Sequence, residues 1–235
     1  PGGGGGLTAI SRSLTFEDRM NGGAGQLATV LSPSLLNELR FGINRRAETR
    51  NTYVPGQPNG AQINITGIAN FGVNPLAGSA SVETSTQIID NLTWSLGRHT
   101  IKTGIDYQST GFQITSALNR LFTFGGLAAA PARPAVTPLD QYLRTVAGTI
   151  DPATGRPYTY TQLSQELGEN SVALRYHFVN FFLQDEFRIS PRLTLNFGIR
   201  YEAVLNPVLD EQAPFALSQR VNNDMNNWAP RFGFS

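Results

Sequence analysis

The chain has 235 residues with 18 basic and 17 acidic side chains, and its net charge of +1 offers no basic surface, so we expect no nucleic-acid partner. The absence of cysteine excludes disulfides, thiolate metal sites and a cysteine nucleophile. With 24 glycines, 14 prolines, 15% charged residues and no long uninterrupted apolar stretch, the composition disfavours helices and predicts no transmembrane helix.

A glycine run at residues 1–6 opens the sequence and precedes the first predicted strand, at 10–20. The run has no initiator Met and neither the basic segment nor the apolar segment of a signal peptide. It also lacks the Lys-Ser/Thr sequel of a phosphate-binding loop. We therefore expect a flexible segment here, in a chain that begins within a longer protein.

Three predicted hairpins follow, each made of two strands joined by a tight turn, at 26–46, 87–110 and 179–202. Two of the turns contain proline, at Pro33 and Pro191, which presets φ and withholds a hydrogen-bond donor. The outgoing strands alternate between apolar and polar residues, as in Leu193–Glu202, which is typical of strands with one apolar face. With a last strand beginning at Arg231, we predict about eight strands of about ten residues each.

The connections between hairpins are long and are polar or rich in Gly and Pro, at 47–83, 111–170 and 203–227. Outer-membrane barrels alternate short periplasmic turns with long extracellular loops in this way. A strand of about ten residues, tilted by about 40°, rises about 25 Å, which matches the apolar band of such barrels. The sequence therefore predicts an all-β fold, an antiparallel up-and-down transmembrane β-barrel segment.

Alternation assigns the side chains of the hairpins to two faces. The apolar set is predicted to face outer-membrane lipid and comprises Leu39, Phe41, Ile43, Ile101, Ile105, Phe181, Leu183, Phe187, Leu195, Phe197 and Ile199. The polar set is predicted to face the lumen and comprises Glu38, Arg40, Lys102, Asp106, Glu186, Arg188, Arg200 and Glu202. Asn37 and Asp185 fall on the apolar parity, and for Asp185 we expect a position near the membrane edge or a bulge. Trp94, Tyr107, Tyr201 and Trp228 lie toward strand ends, where an aromatic girdle is expected.

One stretch is specific enough to indicate a family. Residues Phe181–Glu202 read FFLQDEFRISPRLTLNFGIRYE, and this run resembles the barrel hairpin of TonB-dependent outer-membrane receptors, in particular their Oar-like branch. Other stretches that resemble the same branch are 31–42, 67–72, 90–94, 97–104 and 227–234. The resemblance implies a barrel of about 22 strands in the bacterial outer membrane, occluded by an N-terminal plug and energised through a TonB box.

Neither a plug nor a TonB box is recognisable in these 235 residues. We therefore expect the internal barrel portion of such a receptor, whose contact with the TonB complex lies in a missing N-terminal part. The resemblance implies capture of an unknown solute by extracellular loops, followed by passage through the lumen when the plug is displaced. The alternatives are a passive porin-type channel and a β-sandwich adhesin or surface structural protein, which would bury the apolar face against a second sheet.

No catalytic, cofactor or metal site is predicted. Asp185 and Glu186 are adjacent on a strand and point to opposite faces, so they cannot form a carboxylate pair. His99 and His177 are too few for a histidine metal cage, and a structural, interfacial role is expected for His99. No serine lies in a Gly-x-Ser-x-Gly motif. The Asn-rich stretch 222–227 could supply oxygen ligands to calcium, but a solvated loop is the favoured interpretation.

The connection 111–170 is the first candidate for a recognition surface, since loops on a rigid scaffold carry function. Arginine and tyrosine side chains are well suited to ligand contact. The candidate ligand-contact residues are Arg133, Tyr142, Arg144, Arg156, Tyr158 and Tyr160. A covering loop without a binding role is an equally weighted alternative.

Overall fold

The computed structural model describes residues 5–53, 60–207, 219 and 221–235. Within these ranges, a short 3-10 turn at Ile10–Arg12 precedes thirteen described strands and the described helix α1, at Pro138–Val146. The strands are β1 Leu14–Ser32, β2 Leu35–Thr52, β3 Gln62–Ile65, β4 Ala69–Gly72, β5 Ser79–Leu96, β6 His99–Thr115, β7 Arg120–Phe124, β8 Ile150–Asp151, β9 Arg156–Pro157, β10 Gln162–Gln165, β11 Ser171–Ser190, β12 Leu193–Leu205 and β13 Trp228–Phe234.

The long strands form one principal sheet with the order β1-β2-β5-β6-β11-β12-β13. Two-residue turns at Pro33-Ser34, Gly97-Arg98 and Pro191-Arg192 join its three hairpins, and such turns make the paired strands antiparallel. Gly97 has φ of +60°, a conformation that favours glycine. The principal sheet confirms the predicted antiparallel β architecture, and the described chain is mostly β.

The structure differs from the sequence prediction in the first strand. The predicted strand 10–20 begins only at Leu14, because Ile10–Arg12 is a 3-10 turn, and its remainder is continuous with 26–31 in one strand, β1, since residues 21–25 are extended and form no turn. Gly22 lies close to the side chain of Asn44 on β2, where any added Cβ would collide with the amide. The glycine therefore leaves room for the Asn44 side chain of the neighbouring strand. In the described part of the chain the principal sheet has seven strands, whereas about eight were predicted.

The strands are also longer than the predicted ten residues. Five of them, β1, β2, β5, β6 and β11, contain 19, 18, 18, 17 and 20 residues, which at about 3.3 Å per residue corresponds to roughly 55–65 Å. The first two predicted connections shorten accordingly, to 53–78 and 116–170. The third connection, predicted at 203–227, lies partly outside the described residues and begins after Leu205.

The chain divides into two compact units. One unit consists of 19–47, 82–113 and 173–235 and contains most of the principal sheet. The other unit, which we call the loop unit, consists of 1–18, 48–81 and 114–172. Its second sheet has the order β10-β7-β3-β4, and β3 pairs with β7 in parallel.

The loop unit has its own core, although its sequence indicated only polar or Gly/Pro-rich connections. The buried apolar residues of the loop unit are Ile65, Val73, Ala77, Phe124, Val136 and Tyr158, whereas Ala203 is the one such residue in the described part of the other unit. Its four- and five-residue strands are too short to give a periodic signal. Helix α1 also departs from a composition that disfavours helices.

Candidate ligand-contact loop and sheet faces

Helix α1 begins at a side-chain cap. Thr137 is the N-cap, and its Oγ1 accepts a hydrogen bond from the backbone N–H of Asp140. Pro138 occupies the first turn, where its missing N–H costs nothing. The acidic Asp140 in the first turn interacts favourably with the helix dipole. Local sequence therefore fixes where this helix starts.

Gln141 is fully buried in the loop unit and connects three segments. Its Oε1 accepts hydrogen bonds from the N–H of Gly126, at 2.9 Å, and from the hydroxyl of Thr161, at 3.1 Å. Its Nε2 donates to the carbonyl of Thr159 at 2.8 Å. A buried amide with every group paired specifies one arrangement of its neighbours. The sequence analysis missed this residue, since an isolated glutamine gives no pattern.

The six predicted ligand-contact residues all lie in the loop unit. Arg133 forms an ion pair with the buried Asp151, and its second terminal nitrogen donates to the carbonyl of Ala128 at 2.8 Å. The pair links the turn at Ala130–Arg133 to the β8–β9 hairpin. The guanidinium is therefore engaged inside the loop unit.

Three more of the six, Tyr142, Arg144 and Tyr158, make aromatic or polar contacts within the loop unit. Arg144 donates to the Tyr158 hydroxyl at 2.9 Å, and the Tyr158 side chain is buried. Tyr142 packs edge-on between Phe71 and Phe124, with ring centroids 5.5 and 5.2 Å away. Edge-to-face contacts of this kind are favourable beyond the area they bury.

The last two of the six differ in exposure. Tyr160 is partly exposed and packs against Phe122 with ring centroids 5.0 Å apart. Arg156 is exposed on β9. Of the six candidates, Arg156 is therefore the one most available to a ligand, and the partly exposed Tyr160 is the next.

Helix α1 also presents an apolar ridge that the sequence analysis did not single out. Leu139, Leu143 and Val146 are 40%, 53% and 69% exposed. Their i, i+4, i+7 spacing places them on one side of the helix, and this spacing is the signal that could have found them. The exposed surface of the loop unit therefore carries apolar side chains as well as the cationic Arg156.

The register of the last three strands shows which side chains of the principal sheet share a face. Across β11 and β12, Leu183 is opposite Ile199 and Phe181 is opposite Tyr201. Across β12 and β13, Phe197 is opposite Phe232 and Tyr201 is opposite Trp228. We call this surface, with the residues of the same parity on β2, β5 and β6, the apolar face. Its large side chains are partly or largely exposed, with Phe232 at 72%.

Polar residues on the apolar face bond to one another. Asp185 is opposite Phe197, and its Oδ2 lies 2.6 Å from Nδ1 of His99. His99 also stacks on Phe187, with ring centroids 4.2 Å apart. The shift in strand register lies between Arg188 and Ser190, so the bulge is not at Asp185.

Two further polar pairs occur on the same face. Asn37, the polar residue on the apolar side of β2, donates a hydrogen bond to Oδ1 of Asp90 at 2.7 Å. The hydroxyl of Tyr107 lies 2.8 Å from Nδ1 of His177. Pairing lowers the free-energy cost of placing polar groups on an otherwise apolar surface.

The opposite face carries a polar network. Gln87 donates to Asp106 at 2.9 Å, Gln26 donates to Glu38 at 3.3 Å, and Glu186 is opposite Asn196. The remaining predicted lumen-facing residues are exposed, and the set comprises Arg40, Lys102, Arg188, Arg200 and Glu202. Ion pairs connect Arg40 to Glu38 and Arg200 to Glu202 at 3.7 and 3.4 Å.

No metal centre was found among the described residues, because no three His, Asp or Glu side chains come together there. In the Asn-rich stretch, Asn223 accepts a hydrogen bond from the backbone of Asn206, and Asp224 accepts one from the backbone of Asn226. Burial lowers the pKa of the Arg12 guanidinium in the loop unit, where it contacts Gln62 at 3.5 Å. Within the described ranges no helix is both long enough and apolar enough to cross a bilayer.

A sheet with one exposed apolar face and one polar face is typical of the class of outer-membrane β-barrels. A model of the outer membrane beta barrel domain family matches residues 3–235. The chain therefore belongs to this family, and its location is the bacterial outer membrane. No curated protein and no solved structure matches the chain.

Proposed function

We propose that the chain is the barrel portion of a TonB-dependent outer-membrane transporter. The observation that carries this proposal is the pair of faces, one apolar and exposed and the other polar, in a member of an outer-membrane barrel family. The finer assignment to the TonB-dependent, Oar-like class rests on the resemblance of residues 181–202 to the receptor hairpin.

In this proposal the apolar face contacts outer-membrane lipid. A spanning strand in hydrocarbon needs a hydrogen-bonded neighbour on each side, so the principal sheet is part of a larger closed barrel. The polar face, with the Gln87–Asp106 and Gln26–Glu38 contacts, lines the lumen. Charged and amide groups there provide a hydrated path for a solute.

The long loops would capture the solute on the extracellular side. The loop unit offers a rigid platform, because its core and the Gln141 network fix the positions of Arg156, Tyr160 and the ridge of α1. A mixed apolar and cationic surface suits an amphipathic or anionic solute. Force transmitted from the inner membrane through the TonB complex would then displace a plug.

Conductance of the full-length protein in a planar bilayer tests this function without knowledge of the solute. A plug-gated receptor is expected to show no steady open-channel current, and deletion of the plug is expected to produce a large one. A TonB dependence of solute uptake in cells would support the same mechanism. No increase in current after plug deletion would contradict it.

A passive porin-type channel is the second candidate, favoured by the polar face alone. Such a channel is expected to conduct at rest, without any deletion. A β-sandwich adhesin, the third candidate, would give no current in either form and would assemble without a bilayer. The single current measurement therefore separates the three.

A further inference from the structure

A cleft of about 650 Å³ lies on the apolar face, beyond its band of large apolar side chains. Its walls come from β5, β6, β11 and the residues that follow β12, and all of them belong to one compact unit. The polar side chains that line it include Thr84, Gln113, Arg175 and His177.

Arg175 is the cationic group of this cleft. One terminal nitrogen, Nη1, donates to the hydroxyl of Ser109 at 3.1 Å, which holds the guanidinium in place. In the described part of the chain no ion pair with a carboxylate is found for Arg175, and the residue is exposed. The other terminal nitrogen, Nη2, faces Gly111, where an added Cβ would lie only 3.0 Å away. The missing side chain at Gly111 keeps the guanidinium accessible.

His177 lies two residues further along β11 on the same face and is oriented by its 2.8 Å contact with the Tyr107 hydroxyl. A fixed guanidinium with imidazole and hydroxyl neighbours is a donor set that suits phosphate oxygens. The cleft is therefore chemically matched to a phosphate group.

The position of the cleft along the strands relates it to the apolar band. His177 and Phe187 are ten residues apart on β11, which is about 33 Å along the strand and about 25 Å of height at a tilt near 40°. Between them the apolar face carries Val179, Phe181 and Leu183. Arg175 and His177 thus lie at one edge of a band that matches the hydrocarbon thickness, as the headgroup level requires.

We propose that this cleft binds the phosphate headgroup of a membrane lipid whose acyl chains lie along the apolar face. Arg175 provides the principal contact, and His177 and Gln113 complete the site. The proposal rests on the lipid-facing assignment made above. It adds a specific phosphate site to that otherwise nonspecific surface.

Binding of phosphatidic acid by the full-length protein in non-ionic detergent tests the site. Diacylglycerol with the same acyl chains serves as the phosphate-free probe, and inorganic phosphate serves as the tail-free probe. We expect phosphatidic acid to bind at least tenfold more tightly than either probe. Arg175→Gln, which removes the charge, and Gly111→Val, which fills the space beside the guanidinium, are each expected to weaken phosphatidic acid binding about tenfold.

Arg188→Gln is the matched control, because Arg188 lies on the same strand but on the opposite, polar face. It is expected to leave binding unchanged, and circular dichroism establishes that each variant is folded. Equal binding of diacylglycerol and phosphatidic acid would overturn the phosphate site. If inorganic phosphate bound as tightly as phosphatidic acid, the site would bind free phosphate and the proposal of a lipid headgroup would be overturned. Equal effects of Arg175→Gln and Arg188→Gln would remove Arg175 from the site.

Failure of the headgroup site and failure of the lipid-facing assignment can be separated. Ile199→Arg changes the apolar face far from the cleft, and its assembly into a bilayer reports on lipid contact alone. If Ile199→Arg assembles poorly and the unmodified protein binds diacylglycerol as tightly as phosphatidic acid, only the phosphate site is rejected. Normal assembly would reject the lipid-facing surface on which the site depends.

Discussion

Ile199 is the residue at which lipid contact can be tested most cleanly. It is opposite Leu183 on one side and Pro230 on the other, and all three are on the apolar face. Phe197 is less suitable, because Asp185 lies opposite and could pair with an introduced arginine. We expect Ile199→Arg to cost roughly 2–4 kcal/mol of folding free energy in a bilayer, the penalty for a cation near the midplane. Equilibrium unfolding of the full-length protein in lipid vesicles measures it.

Asn196→Arg is the control for Ile199→Arg. Asn196 is opposite Glu186 and Gly233 on the polar face. An arginine there can pair with the Glu186 carboxylate, and the space beside Gly233 is open. We expect its unfolding free energy to change by less than about 0.5 kcal/mol. Similar losses at the two positions would contradict the assignment of the faces.

The contact between His99 and Asp185 is the second residue-level test. Because Oδ1 of Asp185 is buried and has no hydrogen-bond partner, the carboxylate depends on His99 through Oδ2. A double-mutant cycle of His99→Ala and Asp185→Ala is expected to give a coupling energy of about 1 kcal/mol. The same cycle with Glu186→Ala, on the opposite face, is expected to give none. A coupling of equal size in both cycles would show that the effect is not local.

Among the elements, α1 depends most on one side chain. Gln141→Leu keeps the volume but leaves the N–H of Gly126 and the carbonyl of Thr159 without their partner. Each unsatisfied buried group costs about 1–3 kcal/mol. We therefore expect the loop unit to open, with faster hydrogen exchange at Gly126 and faster proteolysis within 126–161.

Gln165→Leu is the matched substitution on β10, where the side chain is exposed. It is expected to leave the exchange at Gly126 and the protease pattern unchanged. If Gln141→Leu also left them unchanged, the Gln141 network would not be what holds α1 in place.

The elements differ in how far the sequence could predict them. The hairpin turns at Pro33, Gly97 and Pro191 were predictable because turn chemistry and alternation are local signals. The continuity of β1 was not, since a glycine-rich stretch at 21–25 reads as a turn, and the contact of Gly22 with the Asn44 side chain on the neighbouring strand is visible only in the structure.

The loop unit shows why the candidate site was harder to predict than the sheet. Its β3 and β7 pair in parallel, with Gln62 opposite Leu121, so their contact depends on residues far apart in the sequence. Tyrosine and arginine were predicted as ligand contacts from their type alone. Burial of Tyr158 and the Arg133–Asp151 ion pair arise from tertiary packing, which residue type does not encode.

At the scale of the whole molecule, the question is whether the principal sheet forms without the long connection between β6 and β11. The ends of this connection are held together, since the N–H of Ser116 donates to the carbonyl of Asn170 at 2.7 Å and the Asn170 amide donates back at 3.0 Å. A two-residue Asn-Gly turn can therefore replace residues 117–169 and close a hairpin.

We expect the full-length protein with this replacement to assemble in the outer membrane, because the contacts of β6 with β5 and β11 remain. Folded barrel is measured by heat-modifiable mobility in electrophoresis. We further expect new protease cleavage within 60–72, because β3 loses the parallel pairing with β7 that protects its edge. Failure to assemble would show that the connection helps to form the sheet, and assembly without new cleavage would show that β3 and β4 are stable on their own.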